Sequence, residues 1–143
     1  MTLIIDASVA LKWFLTNEPE ADQALAIIGS GTRLIAPEFL IAEVCNAAWK
    51  SARLGRITQT QANEIAISLP GFFDTLVHAS TLAERAVVIA GQLDHPVYDA
   101  LYLALAEREQ AMLVTADSRL RGKVRGTVWE SHVVILADYK IRA

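Results

Sequence analysis

Short apolar runs, each ended by a polar or turn-forming residue, recur along the chain. The first, Leu3-Ile4-Ile5, is too short for a helix and stops at Asp6, which is typical of a strand buried on both faces. The second stops at Pro37, which interrupts regular pairing. Together these runs predict strands over residues 3–5, 33–36, 72–77, 111–115 and 133–136.

The longer segments between these runs carry apolar residues at helical spacing. In residues 38–53, for example, Leu40 and Val44 fall on one face while Glu43 falls on another. Strands that alternate with helices indicate an α/β fold, a three-layer sandwich with a central, mainly parallel sheet flanked by helices. The predicted helices cover residues 8–15, 18–28, 38–53, 58–69, 81–92 and 97–110, the second with Pro19 at its first position.

The composition suits one domain that spans residues 1–143. The chain is 53% hydrophobic with a mean hydropathy of +0.32, so we expect a partner to cover some of its surface and the protein to be an oligomer. Thirteen Lys and Arg residues against 16 Asp and Glu give a net charge of −3. This balance argues against binding nucleic acid through bulk positive charge, although a local basic patch stays open.

The cysteine content and the first residues of the sequence indicate the cellular compartment that we expect for the protein. The single cysteine, Cys45, excludes an intrachain disulfide and is expected to be a small buried hydrophobe in a reducing environment. No signal peptide is visible, and no apolar run reaches the ~18 residues of a membrane helix. We therefore expect a soluble, cytoplasmic protein without a membrane partner.

Four acidic residues lie where the predicted fold brings loops together. Asp6 and Asp117 follow predicted strands, and the carboxyl ends of parallel strands form the ligand-binding edge of such a sheet. Glu43 lies in the second turn of a helix that follows a strand, and its side chain leans toward the same edge. Asp99 lies in the first turn of a helix that no strand directly precedes, so the strand rule does not place it.

Each acid also has a purely structural interpretation. Asp6, Asp99 and Asp117 suit helix caps, turns or the helix dipole, and Glu43 suits a solvated helix face. On one edge, however, four carboxylates repel one another unless a cation lies among them. Oxygen ligands without a Cys and His cluster favour Mg²⁺ or Mn²⁺ over Zn²⁺.

No other catalytic pattern competes with the acids. His78, His95 and His132 are scattered without the spacing of a zinc helix, and we expect them to be surface or structural residues. The sequence contains no nucleophile elbow, Walker loop or dinucleotide-binding glycine pattern. The residues therefore point to metal-assisted hydrolysis.

Four segments, in this order and over nearly the whole chain, resemble the PIN-domain ribonucleases, and in particular the VapC-type toxins of bacterial toxin–antitoxin pairs. The third segment is the most specific of the four. They are Leu3-Ile4-Ile5-Asp6-Ala7-Ser8, Ala42-Glu43-Val44-Cys45-Asn46-Ala47, Tyr98-Asp99-Ala100-Leu101-Tyr102-Leu103-Ala104-Leu105-Ala106-Glu107 and Thr115-Ala116-Asp117.

The resemblance implies an endoribonuclease that depends on Mg²⁺ or Mn²⁺, is typically dimeric and is inhibited by a small antitoxin. Bound ions of this kind activate a water molecule and stabilise charge on the attacking and leaving oxygens of a phosphodiester. The resemblance assigns catalysis and metal binding to Asp6, Glu43, Asp99 and Asp117, and supporting roles to Ser8, Asn46 and Thr115.

An acidic pocket repels phosphate, so contacts to RNA are expected from cations around its rim. Trp129 follows one basic stretch, and base stacking and core packing are equally open for it. The candidate RNA-binding residues are Arg119, Arg121, Lys123, Arg125, Lys50 and Arg53, with Lys12 as a further one. The other large aromatic residues, expected in the core, are Trp13, Phe14, Trp49, Phe72 and Phe73.

Two alternatives remain from the residues themselves. A Mg²⁺-dependent phosphatase of the haloacid dehalogenase kind also begins with a strand that ends in Asp, but it needs a second Asp where this chain has Ser8. A non-catalytic α/β interaction module that binds one structural Mg²⁺ would use the same acids without cleaving anything.

Overall fold

The computed structural model describes residues 1–141, and its central layer is a sheet in which every pairing is parallel. The strand order in the described chain is β3-β2-β1-β4-β5. This confirms the predicted α/β class, and the sheet is entirely rather than mainly parallel. The strands are β1 (Thr2–Ile5), β2 (Arg33–Pro37), β3 (Thr75–Val77), β4 (Met112–Thr115) and β5 (Val133–Ile135).

Helices flank this sheet, and several of their ends follow from local sequence. Thr58 caps one helix with a capping box to Gln61, and Pro96 precedes another. In residues 1–141 the helices are α1 (Ala7–Ala10), α2 (Ala21–Ile28), α3 (Phe39–Arg53), α4 (Gln59–Ser68), α5 (Ala83–Leu93), α6 (Val97–Glu109) and α7 (Ser118–Val124). None of them is both long and apolar enough to cross a membrane.

Three predicted elements differ from the structure at their ends. The predicted strand 72–77 is reduced to β3, because Leu69–Phe72 forms a 3₁₀ turn around Pro70. The predicted helix 8–15 is α1 followed by a 3₁₀ turn. Helix α2 begins only at Ala21, because Glu20 adopts a left-handed conformation with φ of 60°, so Pro19 lies outside the helix.

Helix α7 was not predicted at all. Its seven residues contain Gly122, a poor helix former, and three basic side chains, and they were interpreted as a basic stretch. Asp117 caps its first turn by accepting a hydrogen bond from the Arg119 N–H, at 2.9 Å. The structural interpretation of Asp117 as a helix cap is therefore confirmed, although no helix was predicted after it.

The position of β1 in the centre of the sheet determines where the acids lie. Leu3, Ile4 and Ile5 are at most 1% exposed, as expected of a strand covered on both faces. Ile5 pairs with Val114 of β4, so Asp6 and Thr115 emerge side by side at the carboxyl edge. This edge is the usual ligand-binding side of an open parallel sheet.

Candidate active site

Asp6 is held at the carboxyl end of β1 by three hydrogen bonds. Its Oδ1 accepts one from the Ser8 hydroxyl at 2.5 Å and one from the Val9 N–H at 3.2 Å, which caps α1. Its Oδ2 accepts a short hydrogen bond from the Thr115 hydroxyl. Asp6 is 6% exposed, so its carboxylate is buried with one fixed orientation.

The two hydroxyls that contact Asp6 are themselves oriented by backbone groups. The Ser8 hydroxyl accepts a hydrogen bond from the Ala116 N–H at 2.9 Å, and the Thr115 hydroxyl accepts one from the Asp117 N–H at 3.0 Å. Each hydroxyl therefore directs its own proton to Asp6. The structure places Ser8 and Thr115 where the resemblance assigned supporting residues, while their role in catalysis stays a prediction.

Glu43 is brought to the same region by α3 and is held by a residue that the sequence analysis did not select. The Tyr102 hydroxyl donates to Glu43 Oε1 at 2.5 Å and also receives a hydrogen bond from the Ala7 backbone. Tyr102 is 1% exposed in α6. Its hydroxyl therefore connects the first residue of α1 with the carboxylate on α3.

Asp99, in the first turn of α6, is close enough to the other two acids for its charge to act on them. Its negative charge raises the pKa of both Asp6 and Glu43. Its Oδ2 lies 2.6 Å from Nε2 of His95, which is four residues earlier and just ahead of the helix. His95 therefore contacts the acid cluster, a contact that the sequence did not predict. By contrast, His78 is exposed and pairs with Glu38.

Burial raises the proton affinity of two of these acids. It is the main cause that lifts the pKa of Asp6 from 3.8 to about 6, against the hydrogen bonds from Ser8 and Thr115 that lower it. Burial likewise raises the pKa of Glu43 from 4.5 to about 7, with Asp6 and Asp99 adding to the effect. Within residues 1–141, no Lys or Arg forms an ion pair with Asp6, Glu43 or Asp99.

The fourth acid and one supporting residue lie less close to this cluster. Asp117 caps α7 and lies 3.6 Å from Arg119 Nε, and its charge is not among those that raise the pKa of Asp6 or Glu43. Asn46 is exposed, and its side chain makes no hydrogen bond with the described part of the chain. The structure thus groups Asp6, Glu43 and Asp99, with Asp117 beside Thr115.

The side chains of the acid cluster have the donor atoms that a divalent cation needs. Asp6, Glu43 and Asp99 offer only oxygen atoms and share uncompensated negative charge, which suits Mg²⁺ or Mn²⁺. Across residues 1–141, however, no group of three His, Cys, Asp or Glu side chains is arranged to hold a metal ion. The carboxylates instead face Tyr102, His95 and the two hydroxyls. The residues fit the ion in chemistry and charge.

The predicted rim cations fall into two groups. Arg119, Lys123 and Arg125 are exposed around α7, as are Lys50 and Arg53 on α3. Two others are occupied by neighbours in the protein. Arg121 is only partly exposed and lies 3.8 Å from Glu130, and Lys12 is 8% exposed and lies 3.8 Å from Glu20.

The exposed fraction of three side chains tests the expectations for Trp129, Trp49 and Cys45. Trp129 is 3% exposed and donates its indole N–H to Glu107 at 2.9 Å, so it is a core residue and base stacking by it is wrong. Trp49 is 51% exposed, contrary to the expected core position, and its ring lies under Arg53 at 5.2 Å. Cys45 is only half-buried.

Comparison with known proteins identifies the class of protein to which this fold and acidic edge belong. The family model described as PIN domain matches residues 3–125, and the chain belongs to the PIN-domain family. The resemblance found in the sequence is thereby confirmed.

Individual relatives point to the VapC branch. The chain is 32% identical to Ribonuclease VapC3 of Pyrobaculum aerophilum over 125 residues, which cover 86% of this chain and 95% of that protein. The crystal structure of PAE2754 from the same organism matches with a TM-score of 0.70 and 26% identity, covering 96% of this chain and 85% of that one. A toxin–antitoxin complex from Klebsiella pneumoniae shares the fold, with a TM-score of 0.68, 22% identity and coverage of 97% and 99%.

Proposed function

We propose that this chain is an endoribonuclease of the VapC type that hydrolyses RNA phosphodiester bonds at the cluster of Asp6, Glu43 and Asp99. The observation that carries the proposal is a set of three carboxylates at the carboxyl end of the central strand, paired with no Lys or Arg in the described chain and with two raised pKa values. The names of the relatives supply the substrate class, since they are called ribonucleases.

The chain's own residues have distinct tasks in this proposal. Asp6, Glu43 and Asp99, with Asp117 beside them, would hold Mg²⁺ or Mn²⁺. A divalent ion there would make a bound water a better nucleophile at neutral pH. Ser8 and Thr115 fix the rotamer of the Asp6 carboxylate, and the other supporting hydroxyl, that of Tyr102, fixes Glu43.

Substrate contacts come from the exposed cations near the site. Arg119, Lys123 and Arg125 follow Asp117 directly, and Lys50 and Arg53 continue α3 beyond Glu43. In the proposal these side chains contact phosphates and position the RNA without reading its sequence. Arg121, which is partly buried, contributes less.

The proposal includes regulation by protein partners. As a VapC-type toxin, the chain would act in the cytoplasm as one domain of residues 1–143, form a homodimer and be inhibited by a cognate antitoxin. Exposed apolar side chains such as Trp49 and Val87, at 51% and 63%, supply surface for such contacts. Light scattering at micromolar concentration should give twice the 15.6 kDa of one chain, and a monomer would contradict the dimer.

The activity test compares cleavage of a structured RNA by the wild type, Asp6→Asn and Asp99→Asn in Mn²⁺ and in EDTA. We expect cleavage by the wild type in Mn²⁺ only, and a loss of at least ~100-fold in both variants. Glu64→Gln, an exposed acid on α4, is the matched control and should cleave normally. Cleavage that persists in Asp6→Asn or Asp99→Asn would refute the assignment. Metal binding without cleavage would favour the non-catalytic module.

A further inference from the structure

Two aromatic rings from different helices stack beside the acid cluster. Phe39 is the first residue of α3 and Tyr98 is the second residue of α6. Their ring centroids are 5.2 Å apart and their planes differ by 16°, so they form a parallel stack. Phe39 is half-buried, while Tyr98 is 57% exposed and presents its ring to solvent.

The stack borders the site because of helix geometry. Phe39 lies four residues before Glu43, and residues at this spacing share one face of a helix. Tyr98 directly precedes Asp99 in the first turn of α6. The stack therefore joins the beginnings of the two helices that carry Glu43 and Asp99.

Packing within the chain explains the other aromatic residues better than it explains Tyr98. Trp13 packs against Phe72 and Phe73. Trp129 is buried and hydrogen-bonded, and the exposed ring of Trp49 is covered by Arg53. Tyr98 stacks on Phe39 yet stays 57% exposed, and its hydroxyl makes no hydrogen bond with residues 1–141.

We propose that the Phe39–Tyr98 stack is a nucleobase subsite, on which an unpaired base next to the scissile phosphate stacks against the Tyr98 ring. This inference rests on the proposed ribonuclease function and adds a substrate class to it. Every base has a flat π face, so stacking on an aromatic side chain recognises a single-stranded nucleotide with little sequence preference. A paired base cannot reach the ring, so RNA loops are preferred to duplex.

The test combines a change in the protein with a change in the RNA. Wild type, Tyr98→Leu and Tyr98→Phe are assayed for kcat/KM on one RNA and on versions with a single abasic nucleotide at each position beside the cut. Tyr98→Phe keeps the ring, whereas Tyr98→Leu keeps apolar bulk without it. Ile67→Ala, which removes an exposed apolar side chain from α4, is the matched control. Light scattering of each variant reports the oligomeric state.

We expect that the losses in kcat/KM caused by Tyr98→Leu and by the abasic nucleotide do not add. One abasic position should lower kcat/KM of the wild type and of Tyr98→Phe by about fivefold or more, in line with the known size of base–aromatic stacking. Tyr98→Leu should lose a similar factor on intact RNA and lose nothing further on the abasic version. Ile67→Ala should behave like the wild type on both.

Other outcomes overturn the subsite. If Tyr98→Leu cleaves intact RNA normally, or remains fully sensitive to the abasic nucleotide, the ring does not bind a base although the ribonuclease function stands. If Tyr98→Leu instead changes the oligomeric state while retaining abasic sensitivity, the stack belongs to a protein interface. If the wild type cleaves no RNA, the proposed function and the subsite fall together.

Discussion

Replacing Asp6 by Asn should stabilise the metal-free protein at neutral and alkaline pH. Burial of the Asp6 carboxylate, with a smaller contribution from the charge of Asp99, raises its pKa to about 6. Above that pH the folded protein contains an ion that the interior disfavours. Asn removes this charge and keeps the size and shape of the side chain.

The magnitude follows from the difference between the folded and unfolded pKa. A rise from 3.8 to about 6 corresponds to about 3 kcal/mol at about 1.4 kcal/mol per pH unit. Because the folded state binds the proton more tightly, this free energy is lost as the pH rises from 3.8 to about 6 and stays lost above it. The gain in Asp6→Asn should thus be up to about 3 kcal/mol at pH 8 and below about 1 kcal/mol at pH 4.

The Asn side chain can satisfy the same neighbours. Its amide oxygen can accept from the Ser8 hydroxyl and the Val9 N–H as Oδ1 does now, and Asn is a good N-cap. Its NH₂ group faces the Thr115 hydroxyl, which has a lone pair available as acceptor once it stops donating to residue 6. The substitution therefore removes the negative charge and keeps the hydrogen bonds to the neighbouring groups.

Urea unfolding in EDTA measures this effect at pH 8 and pH 4, both away from the pI of about 5.6. Glu64→Gln, an exposed carboxylate on α4, controls for a change in net charge and should move the free energy of unfolding by less than ~0.5 kcal/mol. An Asp6→Asn protein that is less stable than the wild type at pH 8, or a difference that does not shrink at pH 4, would refute the electrostatic reasoning. Such a result would mean that Asp6 stabilises the fold mainly as the N-cap of α1.

Three further changes test neighbouring parts of the site. Glu43→Gln should also stabilise the metal-free protein, and the gain should grow as the pH rises from 4.5 through about 7. We expect a smaller gain than for Asp6→Asn, because Glu43 is partly solvated. Urea unfolding at pH 5 and pH 8 measures the difference in free energy of unfolding. Tyr102→Phe should lower both Mn²⁺ affinity, by calorimetry, and RNA cleavage at least ~10-fold, since Glu43 loses its fixed orientation. Mg²⁺ at 100 times its Kd should raise the wild-type free energy of unfolding by about 2.7 kcal/mol, seen as a higher Tm, and should raise that of Asp6→Asn less.

Sequence reasoning placed Asp6 because two local signals agree there: an apolar run long enough for a strand and an acid immediately after it. The same logic placed Asp117 at that edge, since parallel neighbours end at one edge, whereas Thr115 was assigned only through the family resemblance. Glu43 required the additional assumption that its helix face turns inward, and the structure supports that assumption through Tyr102.

What the sequence did not predict depends on tertiary contacts. Tyr102 lies three residues after Asp99 on the same face of α6, and His95 lies four residues before Asp99, just ahead of the helix, so both were detectable by spacing. Their partners on that face, however, are set by how α6 packs. Trp49 was misplaced because an aromatic residue on an amphipathic helix is usually buried, and here a guanidinium covers it instead.

The central place of β1 has a consequence for how the chain acquires its chemistry. The Thr115 hydroxyl that holds Asp6 is 109 residues away along the sequence. Such a distant closure is slow compared with helix formation. During synthesis, the ribosome must therefore release Thr115 before Asp6 meets this partner, and a nascent chain that stops short of that residue cannot hold the Asp6 carboxylate in its final orientation.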